Sequence, residues 1–409
     1  MSWAKIRLGD VISTLKGFAF KRSHYVDVGY PIVRASNFTL DSISDDDLKY
    51  YSNKEAEQYK KYALQHNDIL IQTVGSWEYN PNSVVGKVVC VPQKLEGALL
   101  NQNIVKIIPN ENVDNRFLYY RLKCTDFTKY TIGNAVGAAN QASITLDTIK
   151  DFVFTMPNLR IQKKFAEILS TYDDLIENNQ KQIKLLEEAA QRLYKEWFVD
   201  FRFPGYENTP FVDGVPEGWS TRKLETFGDI ITGKTPSTAN ESYYNGNIPF
   251  VKIPDMHNTI YPIITESTLS EEGANTQKNK FIPKNSIMVS CIATVGLVNI
   301  AVEECQTNQQ INSIVLNDLL DLYYLYFSTK RLKMLLDGVG SNGATMTNVN
   351  KGKFANIEIL YPTVELRDQF YDSCQTIFEK ILVLSKSIIE LKNSRDQLLP
   401  KLMSGELEV

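Results

Sequence analysis

The chain has 409 residues, of which 43% are hydrophobic and 22% charged, and its formal net charge is −4. At roughly 100–200 residues per domain this length predicts two to four globular domains, and the acidic balance argues against an indiscriminate polyanion binder. Five scattered cysteines without C-x-x-C spacing indicate a reducing, cytoplasmic setting, three isolated histidines argue against a zinc site, and a signal peptide or membrane-spanning run is not expected.

Taken in chain order, the sequence repeats itself over nearly its whole length. Five segments of the first half recur in the same order in the second half. The pairs are "WAKIRLGDVISTLKG" with "WSTRKLETFGDIITGK", "YPIVRASNF" with "IPFVKIPDM", "NDILIQTVGS" with "NSIMVSCIAT", "LNQNIVKI" with "TNQQINSI", and "FVFTMP" with "IEILYP". Because the order is kept, the pattern predicts a tandem duplication rather than a shared composition.

Each half begins with short strand-like segments and ends with a long helical one. "DILIQTV", "GKVVCV" and "NIVKII" are rich in β-branched residues and are bounded by turn residues, which predicts strands. A short helix is expected at "NRFLYYRLKC" and at "LLDLYYLYFSTKRLKMLL", and a long helix after Pro157 and after Pro362. The sequence therefore predicts an α+β protein with two repeated globular domains, each followed by a long helix.

The two long segments carry apolar residues at steps of four and three, and the two ladders align with a constant offset of 205. A 3.5-residue repeat sustained over about five heptads favours a coiled-coil seam, and two such seams can bury each other. The alternative is that each helix packs only on its own half. The predicted seam residues are Phe165, Leu169, Tyr172, Ile176, Asn179, Ile183, Leu186 and Leu193 in the first helix, and Phe370, Ile377, Ile381, Leu384, Ile388, Leu391 and Leu398 in the second.

The predicted boundaries follow from this pattern. They are 1–157 for the first domain, 158–201 for the central helix, 202–218 for a linker rich in Pro and Gly, 219–362 for the second domain and 363–409 for the C-terminal helix. Each helix should contain about 40 residues and span roughly 60 Å. Asn179, which corresponds to Leu384, is expected to fix the register, and Pro400 is expected to stop or kink the second helix.

Residues 228–235 match the phosphate-binding pattern G-x-x-x-x-G-K-[ST]. The equivalent stretch of the first half lacks G-K-T, Ile230 and Ile231 have strand character, and Pro236 follows where a phosphate-binding loop needs a helix. We therefore expect a short strand leading into a loop, and no nucleotide site. Since no other catalytic motif stands out, the chain is not expected to be an enzyme by itself.

Together these features resemble the specificity subunits of type I restriction–modification systems, over essentially the whole chain. "EEAAQRLYKEWFVDFRFPG" (187–205) is typical of the end of the central helix in that family, and "SRDQLLPKLMSGELEV" from Ser394 is typical of its C-terminus. "LKGFAFKRSHYVDVGYPIVRASNF" (15–38) and "TGKTPSTANESYYNGNIPFVKIPDM" (232–256) are similar to the openings of its target-recognition domains.

The resemblance implies a non-catalytic, DNA-binding subunit. Each recognition domain would bind one half of a bipartite double-stranded DNA target, and the two helices would pair as an antiparallel coiled coil. Two adenine methyltransferase subunits that use S-adenosylmethionine would dock on the helices, and two restriction subunits that use ATP and Mg²⁺ could join them. This chain itself would hold neither cofactor nor metal. A non-catalytic coiled-coil scaffold without DNA specificity remains the alternative.

Candidate DNA-contacting residues are chosen mainly where the two halves match. Basic side chains can contact phosphate or guanine, and amides can pair with adenine, but each position could equally be a solvated charge, a turn, a plain loop or, for the tryptophan, a packed ring. The candidates are Lys21, Arg22, Arg34, Asn37, Trp77, Asn101, Gln102, Asn103, Asn140, Gln141, Lys234, Thr235, Lys252, Asp255, Asn308, Gln309, Gln310, Asn342 and Thr345. The bases recognised do not follow from residue types alone.

Overall fold

A computed structural model describes residues 3–45, 47–77, 83–138, 141–292, 294–331 and 349–408. The chain divides into two compact units. Unit 1 comprises Met1–Ile176 with Leu391–Val409, and unit 2 comprises Glu177–Glu390, so each unit holds parts of both long helices. Among the described residues, no helix combines the length and the apolar character that crossing a membrane requires.

Unit 1 is built on small, mostly antiparallel sheets. The sheets have the strand orders β1-β13, β2-β10-β6-β8, β3-β5-β4-β9 and β11-β12-β7, and the pair β4/β9 is parallel. The strands are β1 (Ala4–Arg7), β2 (Ile12–Lys16), β3 (Tyr25–Val26), β4 (Tyr30–Val33), β5 (Lys49–Tyr51), β6 (Ile69–Gln72), β7 (Val74–Gly75), β8 (Val88–Cys90), β9 (Leu99–Leu100), β10 (Ile104–Pro109), β11 (Val136–Ala138), β12 (Gln141–Ser143) and β13 (Val153–Met156). The helices are α1 (Asn53–Ala56), α2 (Asn115–Leu122), α3 (Thr125–Gly133), α4 (Leu146–Lys150) and the first long helix, α5 (Leu159–Phe198), which continues into unit 2.

Unit 2 has two sheets that match unit 1 in strand order and others that differ. Its sheets have the strand orders β14-β15, β16-β24, β17-β23-β20-β21 and β19-β18-β22, and the pair β18/β22 is parallel. The strands are β14 (Phe211–Val212), β15 (Val215–Pro216), β16 (Ser220–Lys223), β17 (Gly228–Thr232), β18 (Tyr244–Val251), β19 (Ser267–Leu269), β20 (Ile287–Ser290), β21 (Val298–Ile300), β22 (Gln306–Thr307), β23 (Ile311–Leu316) and β24 (Glu358–Tyr361). The helices are α6 (Glu271–Asn275), α7 (Leu322–Lys330), α8 (Lys351–Ala355) and the second long helix, α9 (Val364–Ser404), which ends in unit 1.

The predicted duplication is confirmed in the backbone. The sheet β2-β10-β6-β8 has the same order as β17-β23-β20-β21, and β1 pairs with β13 as β16 pairs with β24, each time with the last strand before a long helix. Single hydrogen bonds recur as well. The amide of Thr73 donates to the carbonyl of Asn103 at 2.8 Å, and at the equivalent place Cys291 donates to Gln310 at 2.8 Å. Matched strands therefore pair in the same order and are joined by matching hydrogen bonds in the two units.

The long helices have the predicted length, 40 residues for α5 and 41 for α9. Within unit 2 they run antiparallel, because Asn179 contacts Ser387 near one end while the Trp197 ring lies 5.9 Å from Phe370 near the other. Within unit 1, Asp173 of α5 is paired with Arg395 of α9. Every predicted seam residue is buried or half-buried.

Each unit encloses a core between its sheets and the helices. In unit 1 the aromatic residues Phe117 of α2 and Phe165 of α5 are buried with Leu402 of α9. In unit 2 the core joins Tyr194 of α5, Phe327 of α7 and Phe370 of α9. The seam residues thus bury apolar area against the partner helix and against the domain of the same unit.

The second helix continues through Pro400 for one more turn, to Ser404, so the helix does not stop at the proline, and a kink there stays a prediction. A proline in a helix removes one donor and leaves the carbonyl four residues earlier, here that of Asp396, without its partner. Both Pro400 and Asp396 are exposed, so water can satisfy that carbonyl. The cost of the proline is therefore small enough for packing of Leu402 and Met403, both buried, to hold the last turn.

Candidate nucleic-acid interface

In both units the opening loop lies directly against a turn rich in amides. The opening loops are residues 17–24 and 233–240, and the amide turns are residues 101–103 and 308–310. The Gly17 amide donates to Ile104 O at 3.0 Å, and the Gly233 amide donates to Ile311 O at 3.1 Å. A Cβ on Gly17 would lie 1.9 Å from Asn101 O, and one on Gly233 would lie 2.2 Å from Thr307 Oγ1. Only glycine permits this close approach.

The opening loop of unit 1 is held by aromatic rings and presents two basic side chains. Phe20 is buried with its ring 4.9 Å from Tyr51 and 5.2 Å from Tyr59. The Tyr51 hydroxyl accepts a hydrogen bond from the Lys21 amide at 3.2 Å, and burial raises the pKa of Tyr51. Lys21 and Arg22 are exposed, and neither pairs with an acidic side chain among the described residues. Both charges are therefore available to an anion.

The opening loop of unit 2 is held by amides instead. Gln277 is buried, and its Nε2 donates to Lys234 O at 2.6 Å and to Gln306 Oε1 at 2.7 Å. The Tyr244 hydroxyl donates to Pro236 O at 2.8 Å. The Lys234 side chain is exposed, and it has no acidic partner within the part of the chain that the structure describes. The loop backbone is fixed while the lysine head points to solvent.

Each amide turn combines one buried amide with exposed ones. Asn101 and Asn308 are buried, and their backbone amides donate to Val33 O and Val251 O, each at 3.1 Å. These two residues therefore anchor the turn. The side chains that remain exposed are those of Gln102, Asn103 and Gln309, while Gln310 is half-buried and accepts from Asn308 Nδ2 at 3.0 Å. Thr235 of the opening loop donates to Gln309 Oε1 at 2.6 Å, which joins the two segments.

The matched basic residues Arg34 and Lys252 lie where β4 and β18 end, and both have internal partners. The Arg34 amide donates to Asn37 Oδ1 at 3.0 Å, and the Lys252 amide donates to Asp255 Oδ2 at 2.8 Å, so each pair caps a 3₁₀ turn. The Lys252 Nζ lies 2.8 Å from Glu266. The Arg34 guanidinium contacts Asp47, whose pKa is lowered by Lys49 and then by Arg34. Arg34, Asn37, Lys252 and Asp255 therefore hold the backbone at the ends of β4 and β18.

A second cluster in unit 1 surrounds Trp77. Its indole Nε1 donates to Ala138 O at 3.1 Å, so the half-buried ring lies across the sheet β11-β12-β7. Gln141 begins β12 in the same sheet and is exposed. The candidates Asn140, Asn342 and Thr345 lie outside the described residues.

The segment that matches a phosphate-binding loop has the predicted strand-and-loop structure. Gly228–Thr232 is β17, which pairs with β23 along its full length. A loop with one 3₁₀ turn, Glu241–Tyr243, follows Lys234 within residues 233–243. A phosphate-binding loop needs a strand, a flexible glycine-rich loop and then a helix whose N-terminus faces the phosphate. The geometry around Lys234 does not provide this.

Comparisons with known proteins agree with the duplicated architecture. A family model described as the type I restriction modification DNA specificity domain matches residues 1–188 and again residues 216–399. The chain belongs to this family of specificity subunits. It is 32% identical to the HindI specificity subunit of Haemophilus influenzae over 99% of both chains. It is 31% identical to the MjaIX specificity subunit of Methanocaldococcus jannaschii over 76% of this chain and 73% of that protein.

A solved structure supports the fold. The crystal structure of the type I restriction–modification S subunit from M. genitalium has a TM-score of 0.57 to this chain, at 15% identity, and the match covers 98% of this chain and 96% of that one. This likeness concerns the fold alone; the assignment to the specificity subunits rests on the family model, whose two matched regions each contain one opening loop and one amide turn.

Sequence reasoning missed the residues that hold this surface of the specificity subunit in place. Tyr51, Tyr244 and Gln277 each bond the backbone of an opening loop, yet they lie 8 to 43 residues away from the bonded residue. Nothing in their local pattern distinguishes them from other strand or loop residues. The one available signal was the abundance of tyrosine, 21 in the chain, which indicated aromatic contact surface but not its position.

Proposed function

We propose that this chain binds a bipartite double-stranded DNA target, one half-site for each unit, through the opening loop and amide turn. The observation that carries this proposal is the recurrence of one surface in both units of a specificity subunit, with exposed Lys21 and Arg22 in one and exposed Lys234 in the other. The backbone bonds that hold the two loops are equivalent. Two copies of one surface can each bind one half of a target that has two parts.

Within this surface the side chains divide by chemistry. Lys21, Arg22 and Lys234 contact phosphates, which supplies affinity and orientation but little sequence information. The exposed amides of Gln102, Asn103 and Gln309 read base edges, since a carboxamide can pair with adenine through two hydrogen bonds. Arg34 and Lys252 stabilise the ends of β4 and β18 rather than contact DNA, because their charges already have acidic partners.

The long helices provide the surface for the methyltransferase subunits. Among the described residues, four apolar side chains on them are well exposed: Leu175 at 44%, Leu185 at 56%, Val364 at 47% and Val383 at 59%. Apolar residues on the outside of a paired helix are candidates for contact with another protein. The chain contributes no catalysis itself. S-adenosylmethionine is bound by two methyltransferase subunits, and ATP and Mg²⁺ by restriction subunits where these are present.

The test is a comparison of adenine methylation in cells with and without this chain. N6-methyladenine is expected at one bipartite motif, and only when this chain is present with its methyltransferase. Band shifts with the purified complex should then show preferential binding to duplexes that carry this motif over duplexes with one scrambled half-site. Equal binding to all duplexes would favour a scaffold without DNA specificity and would refute the proposal.

A further inference from the structure

The short helices α2 and α7 each contact a long helix of their unit, and a lysine stands at the same position of both short helices. The helices correspond because Asp114 and Asp321 are their N-caps, at an offset of 207. At that offset Lys123, which follows α2, corresponds to Lys330, the last residue of α7. Both lysines are ion-paired, but with acids from different parts of the chain.

In unit 2 the acid comes from a long helix. The Lys330 ammonium pairs with Glu187 of α5, and the Tyr326 hydroxyl donates to the same carboxylate at 2.9 Å. The rest of this contact is apolar. Phe327 of α7 and Phe378 of α9 are buried with ring centroids 5.9 Å apart, beside buried Ala190 of α5.

In unit 1 the acid comes from the domain itself. Asp41 lies 3.0 Å from the Lys123 Nζ, 3.6 Å from the Lys392 Nζ and 3.8 Å from Arg395 Nη2, and both of the latter belong to α9. Arg395 is only 6% exposed and also donates to Asp173 of α5 at 2.5 Å. Burial alone would raise the pKa of Asp41, but Lys123, Arg395 and Lys392 lower it to about 2.

The two contacts differ at equivalent positions. At the helix offset of 205, Lys392 and Arg395 in unit 1 stand where Glu187 and Ala190 stand in unit 2, and the pair Tyr120 and Asp173 corresponds to Phe327 and Phe378. Asp41 corresponds to Thr259, by the offset of 218 that relates Arg34 to Lys252. In unit 2 a long helix therefore supplies the acid for this lysine, whereas in unit 1 the domain supplies it, and the same acid also pairs with Lys392 and Arg395 of α9.

We propose that the pairing of Asp41 with Lys392 and Arg395 is a docking determinant that admits the first domain, and excludes the second, at the unit 1 end of the helices. A second-type domain placed there would bring a lysine beside Lys392 and Arg395, with threonine in place of Asp41. Arg395 would keep Asp173 and Asp396, but the incoming lysine and Lys392 would lack an acidic partner, and a buried charge left without its partner is unfavourable. The chain connection already places each domain at one end, because only Pro157 and Asn158 separate β13 from α5. The determinant therefore matches each domain to the helix end that the chain gives it.

A double-mutant cycle in the full chain tests the coupling. Asp41→Thr is expected to lower the midpoint of thermal unfolding by several degrees, because Lys123, Lys392 and Arg395 lose their shared acid. Lys392→Glu is expected to lower it in the natural chain but to raise it in the Asp41→Thr background, where it rebuilds the lysine–glutamate pair of unit 2. Asp41→Asn, which keeps the shape of the side chain, is measured in parallel with the same second substitution.

Lys401→Glu, on an exposed position of the same helix, is the matched control and should change the midpoint equally in every background. Protection of the α2 amides in hydrogen exchange reports whether the change is at the docked contact. A lower midpoint from Lys392→Glu in all backgrounds would overturn the proposed coupling. These measurements need no DNA, so their failure is distinct from failure of the proposed function.

Domain exchange tests the selection itself. A chain that carries a second copy of residues 219–362 in place of residues 1–157 should unfold at a lower temperature than the natural chain. Lys392→Glu together with Arg395→Ala, which gives α9 the residues found in α5, should recover part of the loss. An exchanged chain as stable as the natural one, or no recovery from the two substitutions, would overturn the proposal.

Discussion

Replacing Lys234 by alanine distinguishes two roles for this lysine, a contact with a DNA phosphate and a part in a nucleotide-binding site. The backbone around Lys234 is held independently of its side chain, since its amide donates to Thr307 O at 2.9 Å and its carbonyl accepts from Gln277 at 2.6 Å. The substitution therefore removes one exposed charge and leaves the loop in place. We expect weaker DNA binding, an unchanged melting temperature and no nucleotide binding by either protein.

The size of the effect follows from counterion release. One phosphate contact contributes about 0.9 to the slope of log K against log salt concentration. The affinity ratio of natural chain to variant should therefore fall about 3.5-fold as salt rises from 50 to 200 mM. All sequences should be affected alike, because a phosphate contact carries little base information.

The assay is fluorescence anisotropy of a labelled duplex with the complex of this chain and its methyltransferase, over a series of salt concentrations. Lys284→Ala is the control. Lys284 is exposed and lies before the first residue of β20. The amide turn contacts Cys291, which follows the last residue of β20, so Lys284 is at the opposite end of this strand. A salt slope that does not change in Lys234→Ala, or that changes equally in Lys284→Ala, would refute the assignment. ATP binding that depends on Lys234 would refute the analysis of the whole segment.

Three further outcomes are expected. Asn179→Leu exchanges one hydrogen bond, worth about 1 kcal/mol, for about 2 kcal/mol of apolar burial, so calorimetry should show a melting point about 2–4 °C higher. The pKa of Asp41 in the folded chain is about 2 and its ordinary value is 3.8, so the stabilisation from this carboxylate is present above pH 3.8 and is lost as pH falls towards 2. The free energies of unfolding in urea of Asp41→Asn and of the natural chain should therefore converge over that range. Leu185→Asp with Val383→Asp should weaken methyltransferase binding by about tenfold in titration calorimetry, whereas Gln191→Asp should not.

The fold was accessible from the sequence because its signals are periodic and occur twice. The ladder from Phe165 to Leu193 repeats at a constant offset from Phe370 to Leu398, and every predicted seam residue is at least half-buried. The ladder did not reveal that the long helices also pack against the globular domains. Tyr194 and Phe198 lie beside the seam and pack on Tyr324 of α7, which requires knowledge of the neighbouring element rather than of the helix alone.

The candidate site was accessible only in part. Matching the halves identified segments that do come together, since the opening loop touches the amide turn in both units. Matching the halves did not distinguish the side chains that face solvent from those that hold the backbone of the loops and turns. Asn37, Asn101 and Asn308 are buried, and Arg34 and Lys252 are ion-paired, although by residue type they resemble exposed contacts. Burial and pairing depend on residues such as Asp47 and Glu266, which lie 13 and 14 positions along the chain.

The two opening loops show how a duplicated domain can keep its frame while its surface changes. The backbone contacts are shared, including the close approach at Gly17 and at Gly233, and these leave no freedom at the glycine. The supports are not shared, because aromatic rings around Phe20 hold one loop and the amide of Gln277 holds the other. Substitutions in the supports can therefore alter where Lys21 or Lys234 points without disturbing the strand pairing. If the two units read different half-sites, this division between a constant backbone and variable supports is what permits it.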